Sequence, residues 1–171
     1  MKVFGDVDRT EEYGTPHAKA TDVQGVVVVG YDPALDKWLA LEWSKQKTIW
    51  LVGGGREGLE SYEQAAVREL REETGYSYFK QQIQLGGPII SHYYNDKKGV
   101  FRRSYSFAFL FILDSTAKGE QELEAHEQFE VTWLSYGPLR KTIEQTGGGV
   151  EHWLAVLARA HDYLLGNGVI Q

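Results

Sequence analysis

The chain has 171 residues, a formal net charge of −6 at pH 7 and no cysteine. Disulfides and thiolate metal sites are therefore excluded, and the acidic balance argues against nonspecific binding to nucleic acid. At 42% hydrophobic and 13% aromatic the chain can build one sizeable core, and no apolar run is long enough to cross a bilayer.

Residues 1–21 are polar, lack the apolar centre of a signal peptide, and read as a mobile arm or an added edge segment. Residues 22–171 read as a single domain, and a cytoplasmic soluble protein is the expectation. A β-branched run predicts a buried strand over residues 23–31, and Asp32-Pro33 begins a turn. A second strand over 38–43 completes a hairpin, and a short strand over 49–52 feeds Gly53-Gly54-Gly55. Ser61 is a helix N-cap, Gln64 completes a capping box, and Gly75 stops the helix after Thr74.

Residues 83–85 and 89–94 are extended, broken by Gly86-Gly87-Pro88, and residues 95–99 form a polar turn. Residues 103–113 alternate and then become continuously apolar, as a central strand does. Residues 114–128 form an acidic loop, followed by a strand over 131–134 and a short helix over 138–145. Gly147-Gly148-Gly149 precedes an amphipathic helix over 150–165, on which Trp153, Leu154, Leu157 and Leu164 share a face suited to core packing. The triplet reads as a flexible entry loop, with anion binding at the helix N-terminus as the other reading. Helices interleaved with strands in this way predict an α/β chain with a mixed sheet between helices.

Chemistry concentrates between Gly54 and Tyr76, which read G-x5-E-x7-R-E-L-x-E-E-x-G-Y. Glu69, Glu72 and Glu73 stand at i, i+3 and i+4, on one face of the helix, where like charges repel. Arg68 and Arg71 offset part of that repulsion, and a hard divalent cation would reverse it. A solvated acidic face would explain three glutamates, but not also Gly54, Glu60, Arg68 and Gly75 at fixed offsets.

These residues closely resemble the signature of the Nudix family, G-x5-E-x7-R-E-U-x-E-E-x-G-U with U bulky and aliphatic. Gly54, Glu60, Arg68, Glu69, Leu70, Glu72, Glu73 and Gly75 match position by position, while Tyr76 is bulky but aromatic. Upstream, Val52 stands where many members carry proline, and Leu59 where many carry glycine; neither departure removes an expected metal ligand. The resemblance implies an α/β/α sandwich with a mixed central sheet. It implies a pyrophosphohydrolase that uses Mg²⁺ or Mn²⁺ to cleave a diphosphate bridge in a nucleoside diphosphate linked to another group. It further implies that Glu69, Glu72 and Glu73 are metal ligands, with the Gly54 carbonyl as another. Arg68 would orient the carboxylates, and Glu60 would tie the loop to the helix or bind metal at one remove. The general base is a motif glutamate or Glu127 from the later loop. A non-catalytic nucleotide-sensing module on the same fold is the alternative, although such a module would be free to lose its glutamates. A protein-interaction domain using exposed aromatics is a third reading.

Substrate recognition is less legible. Lys97, Lys98, Arg102 and Arg103 form a basic cluster flanked by Tyr93, Tyr94, Phe101 and Tyr105. The cations either contact phosphates or solvate a turn, and the rings either stack a base or fill a sheet face. Tyr94, Arg102 and Arg103 are the substrate-binding candidates. Nucleoside triphosphates, dinucleoside polyphosphates, nucleotide sugars and capped RNA all stay open as substrates, and a homodimer is compatible with the family. A narrower resemblance, over residues 85–94, Arg102 and residues 107–113, is to Nudix modules attached to some leucyl-tRNA synthetases, and implies a link to tRNA or aminoacylation.

The histidines at 17, 92, 126, 152 and 161 show no zinc-site spacing. There is no Gly-x-Ser-x-Gly elbow, and the triplet at 53–55 lacks the Lys-Ser/Thr of a P-loop.

Overall fold

A computed structural model describes residues 1–96, 98–114, 117–124, 127–147 and 149–171. Lys97, His126 and Gly148 lie outside the described residues.

Two long parallel strands form the spine, β3 (Thr21–Asp32) and β9 (Val100–Leu113), paired from Thr21↔Arg102 to Tyr31↔Ile112. Each serves two neighbours on its other edge. Along β9, the first half pairs antiparallel with β8 (Ile89–Asn95) and the second with β7 (Phe79–Leu85). Along β3, the first half pairs with β6 (Val52–Gly55) and the second with β4 (Lys37–Trp43). Strand β10 (Phe129–Leu134) closes the far side of β4.

The single strand predicted over 49–52 is two. β5 (Ile49–Trp50) pairs with β4, and the chain then crosses so that β6 pairs with β3. That switch opens the sheet beside the glycine triplet.

The alternation of β3 explains both cores, because successive side chains leave opposite faces of a strand. Val26 and Val28 meet Ala65, Ala66 and Leu70 of α1 (Tyr62–Thr74). Val27 and Val29 join the core beneath α2 (Tyr136–Gln145) and α3 (Glu151–Gly166). The result is the expected α/β/α sandwich over a mixed sheet. On α3, Leu157 and Leu164 are buried, with Trp153 and Leu154 packed beside them.

Residues 1–21 add two edge strands. β1 (Lys2–Phe4) pairs parallel with β7, and β2 (Glu11–Tyr13) parallel with β8. Glu11 and Arg159 of α3 form an ion pair, and Arg159 also donates to the Leu85 carbonyl at 2.9 Å. No described helix is long and apolar enough to cross a membrane.

Candidate active site

The carboxylate face is assembled by local chemistry at the start of α1. Ser61 Oγ accepts from the Gln64 N–H at 3.2 Å, and the Ser61 N–H donates to Gln64 Oε1 at 2.8 Å, which is the predicted capping box. At the other end Gly75 is left-handed (φ 76°) and its N–H donates to Arg71 at 2.7 Å. With α1 fixed in this way, Arg68, Glu69, Glu72 and Glu73 face the loop that ends β6.

Arg68 is the hub. Its Nη1 donates to Glu69 Oε1 at 2.8 Å and Glu72 Oε2 at 2.9 Å. Its Nη2 donates to Glu60 Oε1 at 2.8 Å and the Gly55 carbonyl at 2.7 Å, and Nε donates to Glu60 Oε2 at 3.2 Å. This paired grip on Glu60 suits a planar guanidinium. It raises the Arg68 pKa and lowers that of Glu60. Glu60 also accepts from the Glu57 N–H at 2.7 Å, so it ties loop to helix as expected.

Glu73 takes a different anchor, accepting from the Gly53 N–H at 3.0 Å. Gly54 explains the glycine requirement of the loop. A Cβ there would collide with both carboxylate oxygens of Glu69, so the bare backbone is what lets that carboxylate lie against β6.

The electrostatics are strained toward negative charge. Burial pushes the Glu69 carboxyl up to about 7 against the pull of Arg68, with Glu72 and Glu127 adding to the rise. Burial also holds Glu73 well above the usual carboxylate range; the Gly53 N–H opposes this, while Glu69, Glu127 and Glu72 reinforce it. Glu127 therefore stands close enough to act on both carboxylates.

The loop carrying Glu127 is more than a solvated acidic stretch. The Gly119 N–H donates to the Gly75 carbonyl at 2.8 Å, and the Glu122 N–H to the Glu72 carbonyl at 2.7 Å. These bonds satisfy carbonyls at the C-terminal end of α1 that the helix leaves unpaired. Neither they nor the Gly53–Glu73 bond has a sequence signature, because backbone groups make them.

Among the described residues no three acidic or histidine side chains stand grouped closely enough to hold a metal ion as they lie. Arg68 draws Glu69 and Glu72 toward itself, and Gly53 takes Glu73. The donor chemistry nevertheless fits a hard cation. The groups are carboxylate oxygens beside an uncovered backbone, and the like charges that raise Glu69 and Glu73 are those a divalent ion would neutralise.

The substrate candidates do not stay together. Across the β8–β9 pairing Tyr94 faces Phe101 and His92 faces Arg103, while Tyr93 faces Arg102. Tyr94, Phe101, Arg103 and Tyr105 thus lie on the α1 side of the sheet, and Arg102 on the α3 side. Arg103 stands 3.8 Å from Asp22. Among the described residues, Arg102 Nε is buried without a hydrogen-bond partner. The sequence did not point to Arg56, whose guanidinium lies 5.2 Å over the Tyr62 ring and donates to the Glu60 carbonyl at 3.1 Å.

A carboxylate cluster on a helix packed beside a glycine loop, on a mixed sheet between helices, defines a Nudix-type fold. The NUDIX domain family model matches residues 21–154, and the chain belongs to that family. No curated protein matches the chain.

Solved structures share the fold at low identity. The NUDIX domain of Shewanella oneidensis NrtR, complexed with ADP ribose, is 18% identical with a TM-score of 0.62, covering 88% of this chain and 94% of its own. A C. elegans Ap4A hydrolase is 17% identical with a TM-score of 0.59, over 84% of this chain and 98% of its own. The E. coli dihydroneopterin triphosphate pyrophosphohydrolase is 20% identical with a TM-score of 0.55, over 70% and 84%.

Proposed function

We propose that this chain is a divalent-metal-dependent pyrophosphohydrolase that cleaves the diphosphate bridge of a nucleoside diphosphate joined to another group. The observation that carries the reading is the convergence of Glu69 and Glu72 on Arg68 beside Gly53–Gly55, with Glu73 held by the Gly53 N–H and Glu127 close by. Two of the three glutamates are buried and pushed toward protonation, an arrangement that weakens a fold and serves one that binds cations. Named relatives by fold are hydrolases of such bonds and a domain complexed with ADP ribose.

In this reading Glu69, Glu72 and Glu73, with the Gly54 carbonyl, hold Mg²⁺ or Mn²⁺. When bound, the metal activates water and neutralises charge on the phosphates. Arg68 keeps the carboxylates oriented through its bonds to Glu60 and Gly55. Water adds to one phosphorus, the bridging oxygen leaves with the other phosphate, and the water proton passes to a carboxylate. Glu127, the candidate base outside the set of ligands, is the carboxylate assigned to receive it in this reading. Tyr94 and Arg103 contact substrate from the α1 side, which carries the glutamates; Arg102 leaves the α3 side with its Nε buried, so the sheet separates it from that site. The setting is cytoplasmic.

The test is release of phosphate and nucleotide from a panel of diphosphate-bridged substrates with Mg²⁺ or Mn²⁺. Glu72→Gln is expected to abolish nearly all turnover while leaving the melting temperature close to wild type. A panel that the wild type binds but never turns over would favour a nucleotide-sensing module. Arg103→Ala should raise KM with little change in kcat and Arg102→Ala should leave KM unchanged; the reverse pattern overturns this placement.

A further inference from the structure

The α1-facing side of the β8–β9 hairpin is open where α1 ends. Tyr94 is 49% exposed, and Phe101 and Tyr105 are each 38% exposed. Phe101, Arg103 and Tyr105 follow one another on the same face of β9, so the outer rings stand about 13 Å apart with a guanidinium between them. The series continues toward the catalytic loop. Tyr105 lies 5.8 Å from Phe107 and 6.4 Å from Tyr62, and Arg56 caps Tyr62. Arg56 directly follows Gly55, whose carbonyl is held by Arg68.

The outer end shows what this face accepts. The His17 imidazole of the N-terminal segment lies flat on Phe101, with ring centres 3.6 Å apart and planes 9° from parallel. That is the geometry of a base on an aromatic platform.

We propose that this face binds single-stranded nucleic acid, with unpaired bases stacked on Phe101 and Tyr105 and phosphates held by Arg103 and Arg56. In free protein His17 occupies the outermost stacking position. The chemistry is that of stacking surfaces interleaved with cations, which tolerate any base because every base has a flat face. Arg56 and Arg103 on the track, and Lys98 in the hairpin turn, supply positive charge despite the acidic total. Of the bordering acids, Glu12 is engaged by His92 at 2.6 Å, and Asp22 lies beside Arg103. The surface adjoins the site read above as hydrolytic, and in that reading the group attached to the nucleoside diphosphate is an oligonucleotide.

Binding is measured separately from turnover, by fluorescence anisotropy of wild-type protein in EDTA. The probes are a labelled twelve-nucleotide uridine strand, its deoxy counterpart, and a duplex of equal length. Single strands should bind more tightly than duplex, and whichever sugar binds better names the source. The logarithm of affinity should fall with the logarithm of salt, by about 0.7 for each phosphate contacted. F101A/Y105A should weaken binding about tenfold or more; because both rings also pack on Tyr94, Tyr62 and Phe107, F101L/Y105L, which keeps the bulk but loses the flat faces, is the control for folding and should weaken binding likewise with a melting temperature close to wild type. Arg103→Ala should reduce the salt slope by about 0.7, and His17→Ala should tighten binding severalfold.

Absence of single-strand binding, or binding that F101A/Y105A leaves unchanged, overturns the proposal. So does a dimer in sedimentation that F101A/Y105A dissociates, because the face would then join two copies. Turnover of the substrate panel without strand binding removes this surface and leaves the hydrolytic reading. Strand binding without turnover does the reverse.

Discussion

Glu69→Gln exposes the electrostatics of the site through stability. The Glu69 side chain is 11% exposed, and burial pushes its carboxyl from 4.5 up to about 7 although Arg68 opposes the rise. An unfolded chain releases that proton near its ordinary value. Between the two values the folded state therefore holds more protons, and stability falls as pH rises. The contribution is fully present below 4.5 and is lost as pH rises through about 7. The interval corresponds to about 3 kcal/mol, an upper figure because water penetration and relaxation soften the cost of a buried charge.

Glutamine has no proton to release, so the variant lacks this slope. Groups away from the cluster titrate alike in both proteins and cancel in the difference, while removal of the Glu69 charge also eases ionisation of Glu73, which acts in the same direction. In EDTA, the wild type should lose up to about 2.5 kcal/mol relative to the variant between pH 5 and pH 8, roughly 5–10 °C in Tm for a chain of this size. Thermal melts of both proteins across that range read the difference directly. Parallel curves would refute the reasoning, because Glu69 would then ionise as easily in the fold as outside it. Adding Mg²⁺ at pH 8 supplies a second reading. At a hundred times its dissociation constant the ion should stabilise the wild type by about 2.7 kcal/mol and the variant by much less.

Two further substitutions probe the same cluster. Gly54→Ala places a methyl group where the Glu69 carboxylate lies, and should cost about 1–3 kcal/mol in denaturant unfolding together with most of the turnover; a fully active variant would show that the carboxylate need not rest on the loop. Arg68→Lys keeps the charge but cannot span Glu60, Glu69, Glu72 and Gly55 at once. It should lower activity or Mg²⁺ affinity about 10–100-fold, and titration of turnover against Mg²⁺ distinguishes the two.

What the sequence disclosed and what it concealed divide by range. Ser61, Gln64 and Gly75 act within a turn or two of chain, so the helix and its carboxylate face were readable. For residues 1–21 the edge-segment reading holds and the mobile one does not, but the partners were hidden, because Lys2 pairs with Ile83 and Glu11 with Ile89, and strands of three residues carry no period to detect. The basic and aromatic cluster after Ser91 misled by adjacency. Arg102 and Arg103 are neighbours in sequence but leave opposite faces of β9, and only the register Tyr94↔Phe101 shows which rings share a face. The division of β5 from β6 was also hidden, since it depends on which edge of the sheet is vacant at that point.

The charge balance of the cluster argues for a function that stability alone would not favour. One guanidinium, Arg68, hydrogen-bonds three carboxylates, those of Glu60, Glu69 and Glu72, and lies 3.9 Å from a fourth, Glu57; Arg71 stands 3.7 Å from Glu72, Glu73 has among the described residues a single backbone N–H, and Glu127 adds its field from the loop. Nearby sequence satisfies its local rules: the capping box is complete, Gly75 stops the helix, and Ala65, Ala66 and Leu70 fill the core. A fold under pressure only to be stable would place apolar groups at 69 and 73, where both carboxylates are buried. Violations of local preference confined to one face of an otherwise consistent helix are the mark of a site held for its chemistry. Excess negative charge beside a bare glycine backbone suits a cation, which is the chemistry proposed for the site.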